Sequence, residues 1–216
     1  MSTSKSNGNI IDGPQPIFVL VNPQLGENIG ASARGMWNFG LLNLRLINPR
    51  DGWPNSRATA VAAGGGVVLD NVKVYSDLGS GIEDFDYLFA TSIRQRDLDK
   101  PVFSLEEGIK MAHEMVLERM KVGILFGPER SGLENKAIAT ANSIISIPVN
   151  PKYGSLNLGQ SVLLTSYEWL RSRLQNENTY NIIDSTPVAK VGEIEKLNDH
   201  LVEVLEQVGF FFPKTK

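Results

Sequence analysis

Short apolar runs alternate with stretches of helical periodicity along most of the chain. "PIFVLVN" (16–22) has the length and β-branched content of a buried strand. A glycine-containing loop leads from it into a helix from about Ile29 to Phe39, with Gly40 as its stop. "LRLINP" reads as a second strand, "SRATAVAAGGG" as a small-residue helix closed by glycines, and "VKVYS" and "DYLFATS" as further strands. Over 104–120, Leu105, Ile109, Ala112, Val116 and Met120 fall on one helical face. "VGILFG" and "SIISIPV" flank a helix within "SGLENKAIATAN", and a last body helix runs from about Leu158 to Leu174. Strands that are apolar almost throughout and alternate with helices predict an α/β fold, a mainly parallel sheet with helices on both faces.

The pattern changes at "QNENTYNIIDSTP" (175–187), a polar linker closed by Pro187. Beyond it Val191, Ile194, Leu197, Leu201, Val204, Leu205 and Val208 recur at helical spacing before Gly209 and "FFFP". The expected organisation is a polar N-terminal tail (1–14), one body (15–174), the linker, and a C-terminal helical extension (188–216). The apolar stripe of that extension suits either docking on its own body or a subunit interface.

Composition narrows the function classes. A chain of 216 residues, 42% hydrophobic, supports one sizeable core with a small appendage. Cysteine is absent, which excludes disulfide frameworks and thiolate zinc sites and fits a reducing compartment. "MSTSKSNGNIID" lacks the apolar core of a signal peptide, and no apolar run approaches the ~18 residues of a membrane span. A soluble cytoplasmic protein is expected. Net charge is −3, but residues 1–174 are balanced, with 17 Lys+Arg against 17 Asp+Glu. That balance excludes a strongly basic coat and is compatible with a local basic face for nucleic acid.

The distinctive chemistry follows three strands, where open parallel sheets bind their ligands. In "NPQLGENIGASARG", Asn28, Gly30 and Arg34 form N-x-G-x-x-x-R, and Gly30 and Arg34 share a helix face. Gly30 allows a chain or ligand to come close; Arg34 alone also reads as a surface arginine in an ion pair. In "FGPERSGLEN", Gly127 permits close backbone approach to a ligand. Glu129 and Arg130 follow there, and Ser131 with Glu134 has the spacing of a capping box. In "IPVNPKYGSLNLGQSV", Gly154 and Gly159 bracket Ser155, Leu156 and Asn157 at a helix start, where free N–H groups can hold a ligand. The G-x-G-x-x-G fingerprint of a nucleotide-dependent reductase and the Lys-Ser/Thr of a P-loop are both missing. His113 and His200 are isolated, so neither a metal site nor a triad is indicated, and His113 reads as a helix-surface residue.

Together and in this order, "NIGASAR", "LFGPERSGL" and "IPVNPKYGSLNLGQSV" resemble the motifs of the SpoU/TrmH branch of the SPOUT, or α/β-knot, RNA methyltransferases. "NLRLINP", "AAGG" and "ATSIRQR" agree at the expected places, and the resemblance covers residues 16 to about 174. "TSIRQR" and the C-terminal "VEVLEQVGF" make the chain most similar to the TrmJ-like tRNA 2′-O-methyltransferases. The resemblance implies a deep C-terminal trefoil knot, a homodimer, no metal, S-adenosylmethionine as methyl donor and S-adenosylhomocysteine as product. It implies tRNA as substrate, at the ribose of anticodon-loop nucleotide 32 (cytidine or uridine). Ribosomal RNA as substrate, and a catalytically silent RNA-binding relative, are the alternatives.

Carried over by position, the resemblance implies donor contacts from Thr91, Ser92, Ile93, Gly127, Ile147, Gly154, Ser155 and Leu156. It implies a catalytic group of Arg34, Asn28, Glu129, Ser155 and Asn157. Arg34 matches the family's catalytic residue; because a guanidinium is a poor base, an electrostatic clamp on phosphate and alkoxide is the preferred role, with proton removal the other. RNA would be gripped by Arg34, Arg57, Arg94, Arg96 and Lys152.

Overall fold

The computed structural model describes residues 13–92, 100–174 and 191–211. The strands are β1 (Ile17–Val21), β2 (Leu44–Ile47), β3 (Lys73–Tyr75), β4 (Tyr87–Thr91), β5 (Val102–Ser104), β6 (Val122–Phe126) and β7 (Ser143–Ser146). The helices are α1 (Gly26–Asn38), α2 (Ser56–Ala62), α3 (Gly66–Asp70), α4 (Leu78–Ile82), α5 (Leu105–Leu117), α6 (Asn135–Thr140), α7 (Leu158–Leu174) and α8 (Val191–Gln207). All seven strands pair in parallel, in the order β3-β2-β1-β6-β4-β7-β5.

Alternate residues of each strand serve opposite faces, and both faces are apolar. Phe18 and Leu20 of β1, with Leu44, Leu46, Phe89 and Ile124, pack under α1, α2, α3, α5 and α7. Val19 and Val21, with Ile47, Leu88 and Leu125, pack under α4 and α6. The resulting parallel sheet covered on both faces agrees with the architecture of the trefoil-knot SPOUT fold. The chain divides into two compact units, Met1–Asn178 and Thr179–Lys216.

Helix ends follow local rules. At the end of α1, Gly40 (φ 75°) donates to Trp37 O and Leu41 to Met36 O, a Schellman motif with Leu41 buried. Arg119 (φ 67°) ends α5 in the same way, without glycine. In the second unit, Gly209 (φ 72°) donates to Glu206 O and Phe210 to Leu205 O, which closes α8 where the glycine predicted it. The stripe of α8 carries exposed Ile194, Leu197, Leu201 and Val204. Among the described residues no helix is long and apolar enough to cross a membrane.

Two expectations change, and two short elements are new. The helix expected in "SGLENKAIATAN" shrinks to α6: Glu134, not Ser131, stands at its N-cap, and Ser131 Oγ reaches only Gly132 O at 3.4 Å. The short α4 and β5 carry too little periodicity to be foreseen. His113 is half-buried, its ring 5.1 Å from that of Trp169, and this burial holds its pKa below the ordinary histidine value. Gly30 admits a neighbouring segment, one of the two uses its sequence allowed: a Cβ there would lie 2.3 Å from Ala58 O, so α1 and α2 touch through backbone. Gly30→Ala is therefore expected to lower stability by about 1–2 kcal/mol through forced separation of α1 and α2, measured by urea unfolding.

Candidate active site

The three polar loops meet. Helix α1 starts without a side-chain cap at Leu25. Instead the Glu129 carboxylate, from the loop after β6, accepts the backbone N–H of Gln24 (3.0 Å) and of Leu25 (3.3 Å). A carboxylate suits this place, at the positive end of the α1 dipole. Glu129 Oε1 also accepts Asn28 Nδ2 at 2.6 Å, and Asn28 Oδ1 in turn accepts Asn157 Nδ2 at 2.9 Å. Asn157 caps α7: its Oδ1 accepts Gly159 N at 2.8 Å, while Gln160 Oε1 accepts Asn157 N at 3.2 Å. Glu129, Asn28 and Asn157 thus form a relay across sequence separations of 101 and 129 residues. Asn28 is 8% exposed, so its amide bonds are shielded from competing water.

Beside this relay lies a cavity of about 770 Å³ outside the carboxyl ends of β4, β6 and β7. Thr91, Ser92, Gly127, Ile147, Gly154, Ser155 and Leu156, seven of the predicted donor residues, line it. Ile93, the eighth, lies outside the described residues. Of the predicted catalytic group, Glu129 and Ser155 line the cavity, whereas Asn28, Arg34 and Asn157 do not. Arg34 is exposed on α1, and among the described residues no hydrogen bond or ion pair engages its side chain. Its backbone is held firmly, because Gly65 packs so close that a Cβ would stand 2.8 Å from Arg34 Cα.

Of the predicted RNA-binding residues, Lys152 is exposed between Pro151 and Gly154 of the cavity wall. Arg57 is also exposed, 3.6 Å from the Glu27 carboxylate. Arg94 and Arg96 lie outside the described residues. Gly127 lines the cavity and has a second use as well. Its missing side chain makes room for its own loop, since a Cβ would meet Leu133 N at 2.1 Å. Gly132 (φ 66°) turns that loop back, with its N–H on Pro128 O at 2.9 Å.

Sequence reasoning did not single out Ser146, Ser161 or Pro148, which also line the cavity. Ser161 was within reach: it follows Asn157 by one helical turn and donates its N–H to Asn157 O. Thr91 Oγ1 is committed to Leu125 O at 2.9 Å, so it steadies the β4–β6 edge of the cavity. Among the described residues no group of three His, Asp or Glu side chains is assembled to hold a metal ion.

Comparison with known proteins gives the same outline. Residues 15–167 match the model of the SpoU rRNA Methylase family. The chain is 35% identical over 200 residues to the tRNA (cytidine/uridine-2′-O-)-methyltransferase TrmJ of Pectobacterium atrosepticum, covering 91% of this chain and 81% of that protein. The crystal structure of TrmJ from Z. mobilis superposes with a TM-score of 0.69 at 43% identity, over 93% of this chain and 83% of that one. A probable methylase family protein from Haemophilus influenzae superposes with a TM-score of 0.68 at 28% identity, over 89% and 79%. The chain belongs to the SpoU methylase family of SPOUT enzymes, among its TrmJ-like methyltransferases.

Proposed function

We propose that the protein transfers a methyl group from S-adenosylmethionine to a ribose 2′-hydroxyl of tRNA, at anticodon-loop nucleotide 32. The observation that carries this reading is the relay of Glu129, Asn28 and Asn157, which binds three distant loops around one cavity. At about 770 Å³ the cavity is within the ~300–1,000 Å³ of sites for cofactor-sized molecules. Its wall joins apolar Ile147, Leu133 and Leu156 to the glycine-flanked backbone of Gly154 and Ser155. Such a wall suits a molecule with an adenine ring, a ribose and a sulfonium. The relatives' activity, 2′-O-methylation of cytidine or uridine in tRNA, supports the choice of acceptor.

When bound, the donor supplies a methyl group already activated by positive charge, so the protein's task is alignment and stabilisation of the oxygen. Ser155, on the cavity wall, would touch both donor and acceptor in this reading. Glu129 is an orienter and not a base, because its two oxygens already accept three N–H donors. Asn28 and Asn157 hold the α1 and α7 starts in fixed relation, and Arg34 projects from α1 as a clamp for phosphate and for the developing alkoxide. Lys152 and Arg57 add positive charge for the RNA backbone.

We further propose a homodimer acting in the cytoplasm. Exposed Leu163, Leu164 and Tyr167 on α7 support a partner surface, and the cysteine-free composition suits that compartment. The test is ribose-methylation mapping of total RNA from cells with and without the protein. Loss confined to tRNA nucleotide 32 is expected; loss in ribosomal RNA overturns the acceptor, and no loss overturns the activity.

A further inference from the structure

A second, smaller crevice opens on the other half of the same sheet edge, outside the carboxyl ends of β1, β2 and β3. Its volume is about 260 Å³. The loop after β6 separates it from the donor cavity, since Pro128 lines both. The first strand and the second end alike, in Val21-Asn22-Pro23 and Ile47-Asn48-Pro49. Both asparagines have positive φ, 48° and 45°, a conformation that non-glycine residues seldom adopt. Each donates its N–H to the last carbonyl of the next strand, Asn22 to Ile47 O (2.9 Å) and Asn48 to Tyr75 O (2.8 Å). Asn48 Nδ2 donates to Asn22 Oδ1 at 3.1 Å, which holds the two exposed amides side by side on the crevice rim. Asparagine tolerates left-handed backbone, so each turn can end its strand and still present a side-chain amide.

We infer that this crevice is a nucleobase subsite, taking a base of the substrate RNA next to the reacting nucleotide. The inference rests on the RNA-methyltransferase reading above. Volume, lining and charge point to that ligand. At about 260 Å³ the crevice is smaller than sites for drug-sized molecules and holds one ring system. Its floor, from Val21, Ile47, Leu78 and Ala137, offers apolar contact to ring faces. Its rim offers the amides of Asn22 and Asn48, each both donor and acceptor, which match base edges. Glu134 adds an acceptor for an exocyclic amine, while Asp77 is already engaged in capping α4 through Ser80 N. Among the described residues Lys136 is the one lining cation against Asp77 and Glu134, so the lining repels phosphate and favours a neutral base. Pro128 lines both crevices, so the subsite adjoins the donor cavity.

The test uses Asn22→Gly with Asn48→Gly, which keeps positive φ and removes the amides, and Ser76→Trp, which fills the crevice from an exposed position. KM for tRNA is expected to rise about tenfold in both, with S-adenosylmethionine affinity by calorimetry unchanged. Free cytidine and adenosine, titrated into the wild-type protein with S-adenosylhomocysteine present, are expected to shift the amide NMR signals of Asn22, Asn48 and Ser76. Those of Asn22 and Asn48 should vanish in Ser76→Trp. If no nucleoside perturbs these signals, the subsite is overturned. If nucleosides bind but an active enzyme keeps its KM for tRNA in both variants, the site belongs to a free nucleoside and the RNA assignment falls. A wild-type protein that methylates no RNA instead overturns the functional reading, while the nucleoside titration still decides whether the crevice recognises a base.

Discussion

Arg34→Ala is expected to abolish methyl transfer, by about a hundredfold or more in kcat, while S-adenosylmethionine affinity measured by calorimetry stays unchanged. The two halves of that expectation come from separate observations. Arg34 does not line the donor cavity, so truncating it removes no donor contact. Its side chain is exposed and, among the described residues, pairs with nothing, so truncation leaves no buried group unsatisfied. What anchors α1 at this point is backbone contact with Gly65, which alanine preserves. A folded, donor-binding and inactive variant is therefore the signature of a group that acts on the acceptor. Arg34→Lys refines the test. Lysine keeps the charge but loses the planar fork, so partial recovery supports an electrostatic clamp and no recovery supports bidentate phosphate recognition. Loss of donor affinity in Arg34→Ala would move the residue into the donor pocket, and retained turnover would remove it from the mechanism.

Much of the body was legible because its physics is local. The strands around Val19, Leu46, Phe89, Ile124 and Ile145 are apolar on both faces, and only a sheet covered twice buries both. Gly40 and Gly209 marked helix ends because a left-handed residue closes a Schellman motif. The order of strands was not legible: β6 enters between β1 and β4, and β7 between β4 and β5, through contacts that no periodicity encodes. The same limit hid the use of glycine. "NIG" left chain and ligand approach open, and Gly30 meets Ala58 of α2; Gly127 of "FGP" lines the cavity and also meets the backbone of its own loop.

The candidate site divides along the same line. Ser155, Gly154 and Ile147, grouped by motif position, line one cavity. What motif positions could not carry was the bonding between loops. Asn28 and Glu129 read as members of two separate motifs, with no bond between them until the fold set them 2.6 Å apart. Asn22 and Asn48 gave no signal at all, because a left-handed asparagine before proline looks like any turn.

Asp84→Ala is expected to destabilise the body by about 2–3 kcal/mol in urea unfolding at pH 7, with a gap that closes in acid. Arg45 stands on β2 with its side chain 2% exposed, and it donates to both Asp84 oxygens, at 2.7 and 2.9 Å. It also donates to Gly81 O at 2.8 Å, and its guanidinium lies 4.4 Å from the Phe85 ring centroid. Removing one partner of a buried pair costs about 3–5 kcal/mol because a charge is left without its counterion. The Asp84 side chain is 44% exposed and shared with Lys121, so solvent screening reduces that figure. The Arg45 hydrogen bonds hold the Asp84 pKa well below the ordinary carboxylate value of 3.8, against the opposing effect of burial; Lys121 lowers it further. A carboxylate depressed in the folded state stabilises above its unfolded pKa and loses that contribution as pH falls through the folded one. The difference between wild type and Asp84→Ala should therefore be full from neutral pH to about pH 5 and shrink steadily below pH 4. A difference that holds constant down to pH 2 would mean that Asp84 matters through packing, with Gly81 O and the Phe85 face sufficient to hold the buried guanidinium.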